Sequence, residues 1–155
     1  MISMSELEKR IKTLEDRAAL ERVLLQYYYA VDTLSDVDSL IDCFTPDAIF
    51  DIEDLGLKKY HGHDEIRSFF EGVFAETPYH CHHVSNFDIT RLEDNEASAR
   101  GYVIGKAEGS NGVKVFVHCC YYIDYVRTDA GWKIRLFDED SLVPIGDEVR
   151  DLHGQ

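Results

Sequence analysis

Hydrophobic positions in the first part of the chain recur with the spacing of a helix. Leu7, Ile11, Leu14 and Ala18 follow the 3.6-residue period, and the segment Ser5 to Glu8 has the form of a capping box that opens a helix. The same period continues to Val31. The pattern therefore predicts one broken helix, or two helices, over the first ~30 residues.

Four further elements are predicted before residue 80. Residues 35–38 resemble a second helix cap, and the helix after them should stop at residues 45–47. Two short strands are expected over 48–52 and 57–61. An amphipathic helix follows and ends at Thr77, because apolar side chains fall at i, i+3, i+4, i+7 and i+8 as Ile66, Phe69, Phe70, Val73 and Phe74.

The second half of the chain is strand and turn. Runs at about 81–92, 97–107, 113–127 and 132–143 are rich in β-branched and aromatic residues and are joined by short polar turns, which connect antiparallel neighbours. Helices followed by such strands predict one α+β domain over residues 1–155, with its core at about 6–143 and a polar tail that frays or packs on a partner. A curved sheet wrapped over the helices leaves an interior pocket between them.

Composition narrows the class of partner. The chain has 155 residues, of which 45% are hydrophobic, and this suffices for a single sizeable core. A formal net charge of -14 disfavours nucleic acids and anionic membrane surfaces. Neither a signal peptide nor an apolar run of ~20 residues is seen, and none of the four cysteines forms a C-x-x-C pair. We therefore expect a cytoplasmic protein with reduced thiols.

The first candidates for functional side chains lie at residues 27–32, at the end of the first apolar helical stretch. A carboxylate such as Asp32 is costly to bury unless it is paired, and a surface aspartate at a helix end is the alternative. The tyrosines at 27–29 are more typical of core and rim, but their hydroxyl groups can donate to a substrate oxygen. Spacing alone favours Tyr28, which lies at i, i+4 from Asp32, over Tyr27.

Histidines form the second candidate group. Strand alternation places His80, His82 and Asn86 on one face, whereas His83 points to the other. His118 lies in the middle of a later strand, and which face of that strand lines the pocket is open. For each histidine taken alone, a hydrogen-bonded sheet residue is the simplest interpretation.

A metal site is an alternative interpretation of these histidines. His80 and His82 could supply two ligands, and Asp32 or His118 would have to complete the set. His82 and His83 cannot bind one ion from opposite faces of a regular strand. Zinc sites usually show clearer spacing, and a histidine base needs its lone pair free, so we predict that neither metal nor cofactor is required.

Several segments together resemble one family. They are residues 14–20, reading LEDRAAL, then 30–32, 40–48, 62–66, 82–86 and 131–134, the last reading GWKI. In this order they are similar to the SnoaL-like domain family of the nuclear transport factor 2-like superfamily, over about residues 6–140. The resemblance implies a cystatin-like cone, in which a curved antiparallel sheet wraps over N-terminal helices.

The resemblance also implies roles for particular residues. Relatives include scytalone dehydratase, hexachlorocyclohexane dehydrochlorinase and bile-acid dehydratase, in which a late helical aspartate orients a histidine at a strand start. These roles fall on Asp32 and His82, and a catalytic tyrosine of bile-acid dehydratase falls on Tyr27. Further groups of the dehydratases would fall near Ala107, so the substrate-specific residues differ. The remaining candidates for the substrate pocket are Tyr28, His80, Asn86 and His118.

The expected function is cofactor-independent acid–base chemistry. A dehydratase, another lyase or an isomerase would act on a small hydrophobic molecule that is polyketide-, aromatic- or steroid-like. The alternative is a non-catalytic ligand-binding or assembly domain, like the small subunit of a dioxygenase. Because the last strands carry aromatic residues that look exposed, including Tyr121, Tyr122, Tyr125 and Phe137, we also predict a homo-oligomer, dimer or trimer, packed through the sheet.

Overall fold

The structure is a computed structural model and describes residues 2–154. Its first element is a single long helix, α1 (Met4–Thr33), rather than a broken helix or two. The helix begins two residues earlier than the predicted capping box, because the Ser3 hydroxyl accepts the hydrogen bond of the Glu6 N–H at 3.1 Å. It ends at Leu34, whose left-handed φ of 56° turns the chain.

Only the second half of α1 packs into the core. The predicted apolar stripe at Leu7, Ile11 and Leu14 is exposed, by 42% to 66% of each side chain's surface. Burial begins at Asp16 and continues through Leu20 to Val31. The amphipathic period therefore predicted the helix correctly, but it did not predict that only the second half of the helix packs against the rest of the protein.

The other elements follow the sequence pattern closely. A short helix, α2 (Val37–Ile41), is capped by the Asp36 side chain. The remaining helices and strands are β1 (Phe44–Asp51), a 3₁₀ turn (Glu53–Leu55), β2 (Lys59–His61), α3 (Gly62–Glu76), β3 (Tyr79–Leu92), β4 (Glu96–Glu108), β5 (Lys114–Thr128), β6 (Gly131–Ser141) and α4 (Glu148–His153). Among the residues described, no helix is both long and apolar enough to cross a membrane.

The six strands form one curved sheet in the order β2-β1-β6-β5-β4-β3. The hairpins β3–β4, β4–β5 and β5–β6 are antiparallel, as the short turns predict. The last strand, β6, also pairs in parallel with the first strand, β1. The concave face packs on α1 and α3, and the core lies between them. Its largest buried side chains include Leu20, Leu24, Phe50, Ile66, Tyr121 and Phe137. The predicted α+β architecture is confirmed.

The chain after Pro144 is not a frayed tail. It forms α4, which buries Val149 and Leu152 against the rest of the protein, so its two apolar side chains complete the core. Sequence reasoning counted the segment as polar, because its apolar side chains, Ile145, Val149 and Leu152, are few and stand among charged and polar residues. One wall of the interior is thus contributed by the C-terminal helix.

The convex face of the sheet carries exposed aromatic side chains. Tyr102, Phe116 and Tyr122 stand on neighbouring strands β4 and β5 and are 43% to 51% exposed. An apolar group of this kind on a sheet face is typical of an interaction surface. Of the aromatic residues expected to carry a homo-oligomer, only Tyr122 is exposed here. Tyr121, Tyr125 and Phe137 are buried, because their side chains belong to the core. The homo-oligomer itself stays a prediction.

A buried carboxylate ties α1 to the opposite end of the sheet. Asp16 accepts hydrogen bonds from Arg127 at 2.6 Å, from Lys12 at 2.9 Å and from the Trp132 indole N–H at 3.2 Å. Burial by itself would raise the pKa of Asp16, but the three donors outweigh it and the pKa lies below its usual value. The carboxylate is therefore a structural ion that depends on its partners.

We expect Asp16→Ala to lower the free energy of unfolding by about 2–3 kcal/mol, because it leaves the Arg127 and Trp132 donors without their acceptor. Chemical denaturation measures the loss. Asp38→Ala is the matched control: its carboxylate is 85% exposed and pairs only with Arg67, so the loss should stay below about 1 kcal/mol. Equal losses in the two variants would show that the buried network adds nothing.

Candidate active site

The central pair joins the end of α1 to the start of β3. Asp32 Oδ1 lies 2.7 Å from His82 Nδ1, and Asp32 Oδ2 accepts the backbone N–H of His82 at 3.0 Å. Two contacts to one residue fix both the carboxylate and the imidazole. Asp32 is therefore paired and partly covered rather than a free surface aspartate, and the His82 side chain is 8% exposed.

His80 stands beside this pair on the same strand face. Its Nδ1 is 3.5 Å from Asp32 Oδ1, and its ring centroid is 4.7 Å from that of His82. The geometry does not make a hydrogen bond, so the buried His80 Nδ1 has no partner among the residues described. The carboxylate of Asp32 thus faces two imidazole rings but is bonded to one.

Burial and pairing set the charges of the dyad. Burial alone would raise the pKa of Asp32, but the contacts with His80 and His82 hold it well below the usual range, so the carboxylate is ionised. Burial lowers the pKa of His82 below 6.5, and this outweighs the attraction of Asp32. His82 is therefore neutral at pH 7. Because Asp32 can only accept, the proton sits on Nδ1 and the Nε2 lone pair is free.

An interior cavity of about 80 Å³ lies next to His82, between α1, α3 and the concave face of the sheet. Its walls are mostly apolar, and its polar lining residues are Tyr27, His80, His82, Lys106, Tyr121, Glu139 and His153. An outer groove of about 590 Å³ runs past Asp32, Tyr79 and Phe116. The two spaces share four lining residues: His80, Lys106, Ala107 and Val115. The two spaces are therefore adjacent, with Asp32 of the dyad on the groove and His82 on the inner cavity.

The two candidate tyrosines occupy different places. Tyr27 lines the cavity and packs its ring 4.8 Å from that of Phe137. Tyr28 packs against the His82 ring at 5.5 Å but is not one of the cavity-lining residues. Its buried hydroxyl has no hydrogen-bond partner in the described part of the chain. The order implied by the family resemblance, Tyr27 before Tyr28, fits the cavity better than the i, i+4 spacing does.

The structure does not bring Asn86 or His118 into the cavity. A bulge between Ser85 and Asp88 interrupts β3, and Asn86 within it takes a left-handed φ of 55° and is exposed. The expected alternation of faces therefore ends before Asn86. His118 lies on the convex face, where its ring packs 4.8 Å from Phe116.

Sequence reasoning missed three titratable residues of the cavity wall, namely Lys106, Glu139 and His153. Glu139 belongs to an acidic run that resembled a solvated strand edge, yet it is only 6% exposed. The signal was available, because Glu139 lies two residues after the core residue Phe137 and so shares its strand face. His153 comes from the tail, and its helical packing depends on contacts distant in sequence. Burial lowers the pKa of His153 to about 4.

Three side chains of the site could hold a metal ion. Asp32, His80 and His82 each offer a ligand atom, and these atoms lie within 4.8 Å of one another. Three protein ligands with an open position are typical of catalytic metal sites. Binding through His82 Nδ1 would, however, replace its hydrogen bond to Asp32. His118 is on the opposite face and takes no part, and the expectation that no metal is required stays a prediction.

A family model described as the SnoaL-like domain matches residues 12–138, which is most of the chain. The protein belongs to the SnoaL-like family. A search of curated proteins finds no match. This SnoaL-like chain has the cystatin-like, nuclear transport factor 2-like fold that the family resemblance implies.

Solved structures place this SnoaL-like protein among several relatives. A protein from Novosphingobium aromaticivorans, provisionally described as an aromatic ring hydroxylase, is 42% identical with a TM-score of 0.83, over 86% of this chain and 93% of that one. A provisional scytalone dehydratase from the same organism is 21% identical with a TM-score of 0.77, over 84% and 87%.

A hexachlorocyclohexane dehydrochlorinase, LinA type 2, is 18% identical with a TM-score of 0.77, over 88% of this chain and 93% of that one. The likeness to the provisional dehydratase and to this dehydrochlorinase is below 25% identity and shows the shared fold alone. Chemistry for this SnoaL-like chain must therefore be argued from its own residues.

Proposed function

We propose that the protein is a lyase-type enzyme that removes a proton from carbon with His82 as general base, without a cofactor. The observation that carries this proposal is the 2.7 Å contact between Asp32 Oδ1 and His82 Nδ1 beside an apolar cavity. Two relatives of the same fold carry the names of a dehydratase and a dehydrochlorinase, and the proposal extends their reaction class to this chain. Isomerisation begins with the same proton transfer and belongs to the same proposal.

The proposed mechanism uses the arrangement directly. The free Nε2 of neutral His82 takes a proton from a carbon next to an electron-withdrawing group, and Asp32 stabilises the imidazolium that forms. Burial raises the pKa of Tyr27 well above its usual value, so its hydroxyl keeps its proton. Tyr27 therefore donates a hydrogen bond to a substrate oxygen on which negative charge develops.

The proposed substrate is a small hydrophobic molecule with a few polar groups. The cavity walls come largely from Val31, Phe50, Phe70 and Val117, whereas the polar groups are concentrated around the dyad. The inner cavity is too small for most drug-sized molecules, which occupy roughly 300–1,000 Å³. The bulk of the substrate would lie in the outer groove, with its reacting end in the cavity.

A panel of hydroxylated aromatic and alicyclic ketones tests the proposal. Loss of water, read by mass spectrometry, is expected with the wild-type protein and to fall by at least about 10²-fold in His82→Gln. His83→Gln is the matched control, because that neighbouring histidine is exposed on the other strand face. Equal turnover in the two variants would remove His82 from the mechanism.

One observation favours a second candidate, a metal-dependent enzyme. Asp32, His80 and His82 form a two-histidine, one-carboxylate set, which is typical of non-haem iron oxygenases, and the 42% identical relative carries the name of a hydroxylase. Elemental analysis separates the candidates. Near-stoichiometric iron or zinc that is lost in His80→Gln would favour the metal enzyme over the acid–base dyad.

A further inference from the structure

The cavity contains a second buried carboxyl group, which the dyad does not use. Glu139 projects from β6, opposite Tyr121 of β5 in register, and lines the cavity that His82 also lines. The groups that face it are the Tyr27, Tyr28 and Tyr121 hydroxyls and the Cys119 thiol. None of these is a cation. Lys106 also lines the cavity, but neither it nor any other described residue forms an ion pair with Glu139.

A buried carboxyl without a cation is costly to ionise. Burial raises the pKa of Glu139 to about 7, and this outweighs the opposite effect of the Cys119 thiol. A substantial fraction of Glu139 is therefore protonated near neutral pH. In that state it is the strongest neutral acid on the cavity wall, because the pKa of Tyr27 lies well above 10.

Glu139 and His82 approach the cavity from different strands. In the sheet order, β5 and β4 separate β6 from β3. At ~4.8 Å per strand the two backbones would be roughly 14 Å apart in a flat sheet, and the concave curvature turns both side chains toward one space. A small substrate can therefore lie between a base on one wall and an acid on another.

We propose that Glu139 is a second catalytic residue, the proton donor to a leaving hydroxyl, and that the substrates are β-hydroxy carbonyl compounds. This inference rests on the proposed function of His82. His82 Nε2 takes the α-proton, the C–H electron pair forms the C=C bond, and the C–O bond breaks. The hydroxyl leaves with the Glu139 proton as water. Return of the proton from imidazolium to carboxylate restores both groups, and no redox partner is needed.

A pair of substrates that differ only in the leaving group tests the role of Glu139. The probes are the β-hydroxy ketone made from acetone and benzaldehyde, and its β-chloro counterpart. Both give the same conjugated enone, which is followed by its ultraviolet absorbance. Chloride leaves as an anion and needs no proton. A hydroxyl group must be protonated to leave as water, so only the hydroxy ketone needs the acid.

Glu139→Gln is expected to lower kcat for the hydroxy ketone by at least ~10²-fold and to leave the chloro ketone within about threefold of wild type. In the wild-type protein, kcat/KM for the hydroxy ketone should fall above pH 7, where Glu139 ionises. The Glu139→Gln variant should not show this fall. His82→Gln should lower turnover of both compounds. Equal losses for both compounds in Glu139→Gln, or none for either, would overturn the assignment of Glu139.

Two outcomes distinguish this inference from the proposed function. If His82→Gln turns over both compounds like wild type, the proposed function fails. If the wild-type protein turns over neither compound, β-hydroxy ketones are the wrong substrate class.

An infrared difference spectrum between wild type and Glu139→Gln at pH 6 tests the acid without a substrate. The signal of a protonated carboxyl group is expected for Glu139. A carboxylate signal would overturn the acid role, whatever the turnover.

Discussion

Asp32→Asn is expected to lower kcat for elimination by about 10³-fold with little change in KM. An amide of the same shape can still contact His82, but its NH₂ group can face Nδ1. The imidazole would then carry its proton on Nε2, and the lone pair that should accept the substrate proton would point at the amide. The variant would also lose the negative charge that stabilises the imidazolium.

Steady-state kinetics with any compound that the panel identifies measures this loss. Asp38→Asn is the matched control, because the same chemical change falls on an exposed carboxylate that contacts only Arg67. Its kcat should stay within about twofold of wild type. If Asp32→Asn also stayed within twofold, Asp32 would be a structural cap for β3 rather than part of the catalytic pair.

Glu139→Gln is expected to raise the free energy of unfolding by about 2–3 kcal/mol at pH 8 and by much less at pH 5. The pKa of Glu139 is about 7 in the folded protein and 4.5 in the unfolded chain. Below pH 4.5 the carboxyl is neutral in both states, and its contribution to stability is fully present. That contribution is lost as the pH rises through 7, because the buried carboxyl must then ionise. This difference in pKa corresponds to ~3 kcal/mol. Glutamine cannot ionise, so the variant avoids that loss.

Urea denaturation of wild type and variant at both pH values measures the effect. The buried histidines also make stability depend on pH, but they are the same in both proteins and cancel in the comparison. Glu76→Gln, at the exposed end of α3, serves as the control and should change stability little at either pH. The same gain at pH 5 and pH 8 would mean that Glu139 is not a buried acid that titrates.

A stabilising substitution that costs activity is typical of a functional site. The wild-type protein keeps an unpaired carboxyl in its interior, although glutamine would be more stable there above pH 7. If both predictions hold, the loss of stability and the proton-donor role of Glu139 have the same cause, namely burial without a cation.

Local patterns predicted most of the fold, because they depend on short-range spacing. The i, i+3, i+4 series from Ile66 fixed α3, and the polar turns fixed the antiparallel hairpins of β3 to β6. The predictions failed where contacts between residues distant in sequence determine the local structure. The bulge at residues 85–88 moved Asn86 off the expected face, and packing of Val149 and Leu152 ordered the tail.

The site was partly predictable for a similar reason. The pair of Asp32 and His82, 50 residues apart, followed from resemblance to a family and not from spacing, and the structure brings the two into contact. Glu139 was missed because an acidic run was interpreted by its charge rather than by its alternation with Phe137. A charged residue between core positions of a strand is better examined first as a buried group.

Asp32 holds a neutral His82 with its Nε2 lone pair free, and ¹⁵N NMR of the histidine rings tests this arrangement without a substrate. At pH 7 His82 is expected to be neutral and to carry its proton on Nδ1, and Asp32→Asn is expected to move this proton to Nε2. His83→Gln assigns the neighbouring signal. A His82 ring that is protonated on both nitrogens at pH 7, or that carries its proton on Nε2 in the wild-type protein, would rule out the acid–base role of the pair.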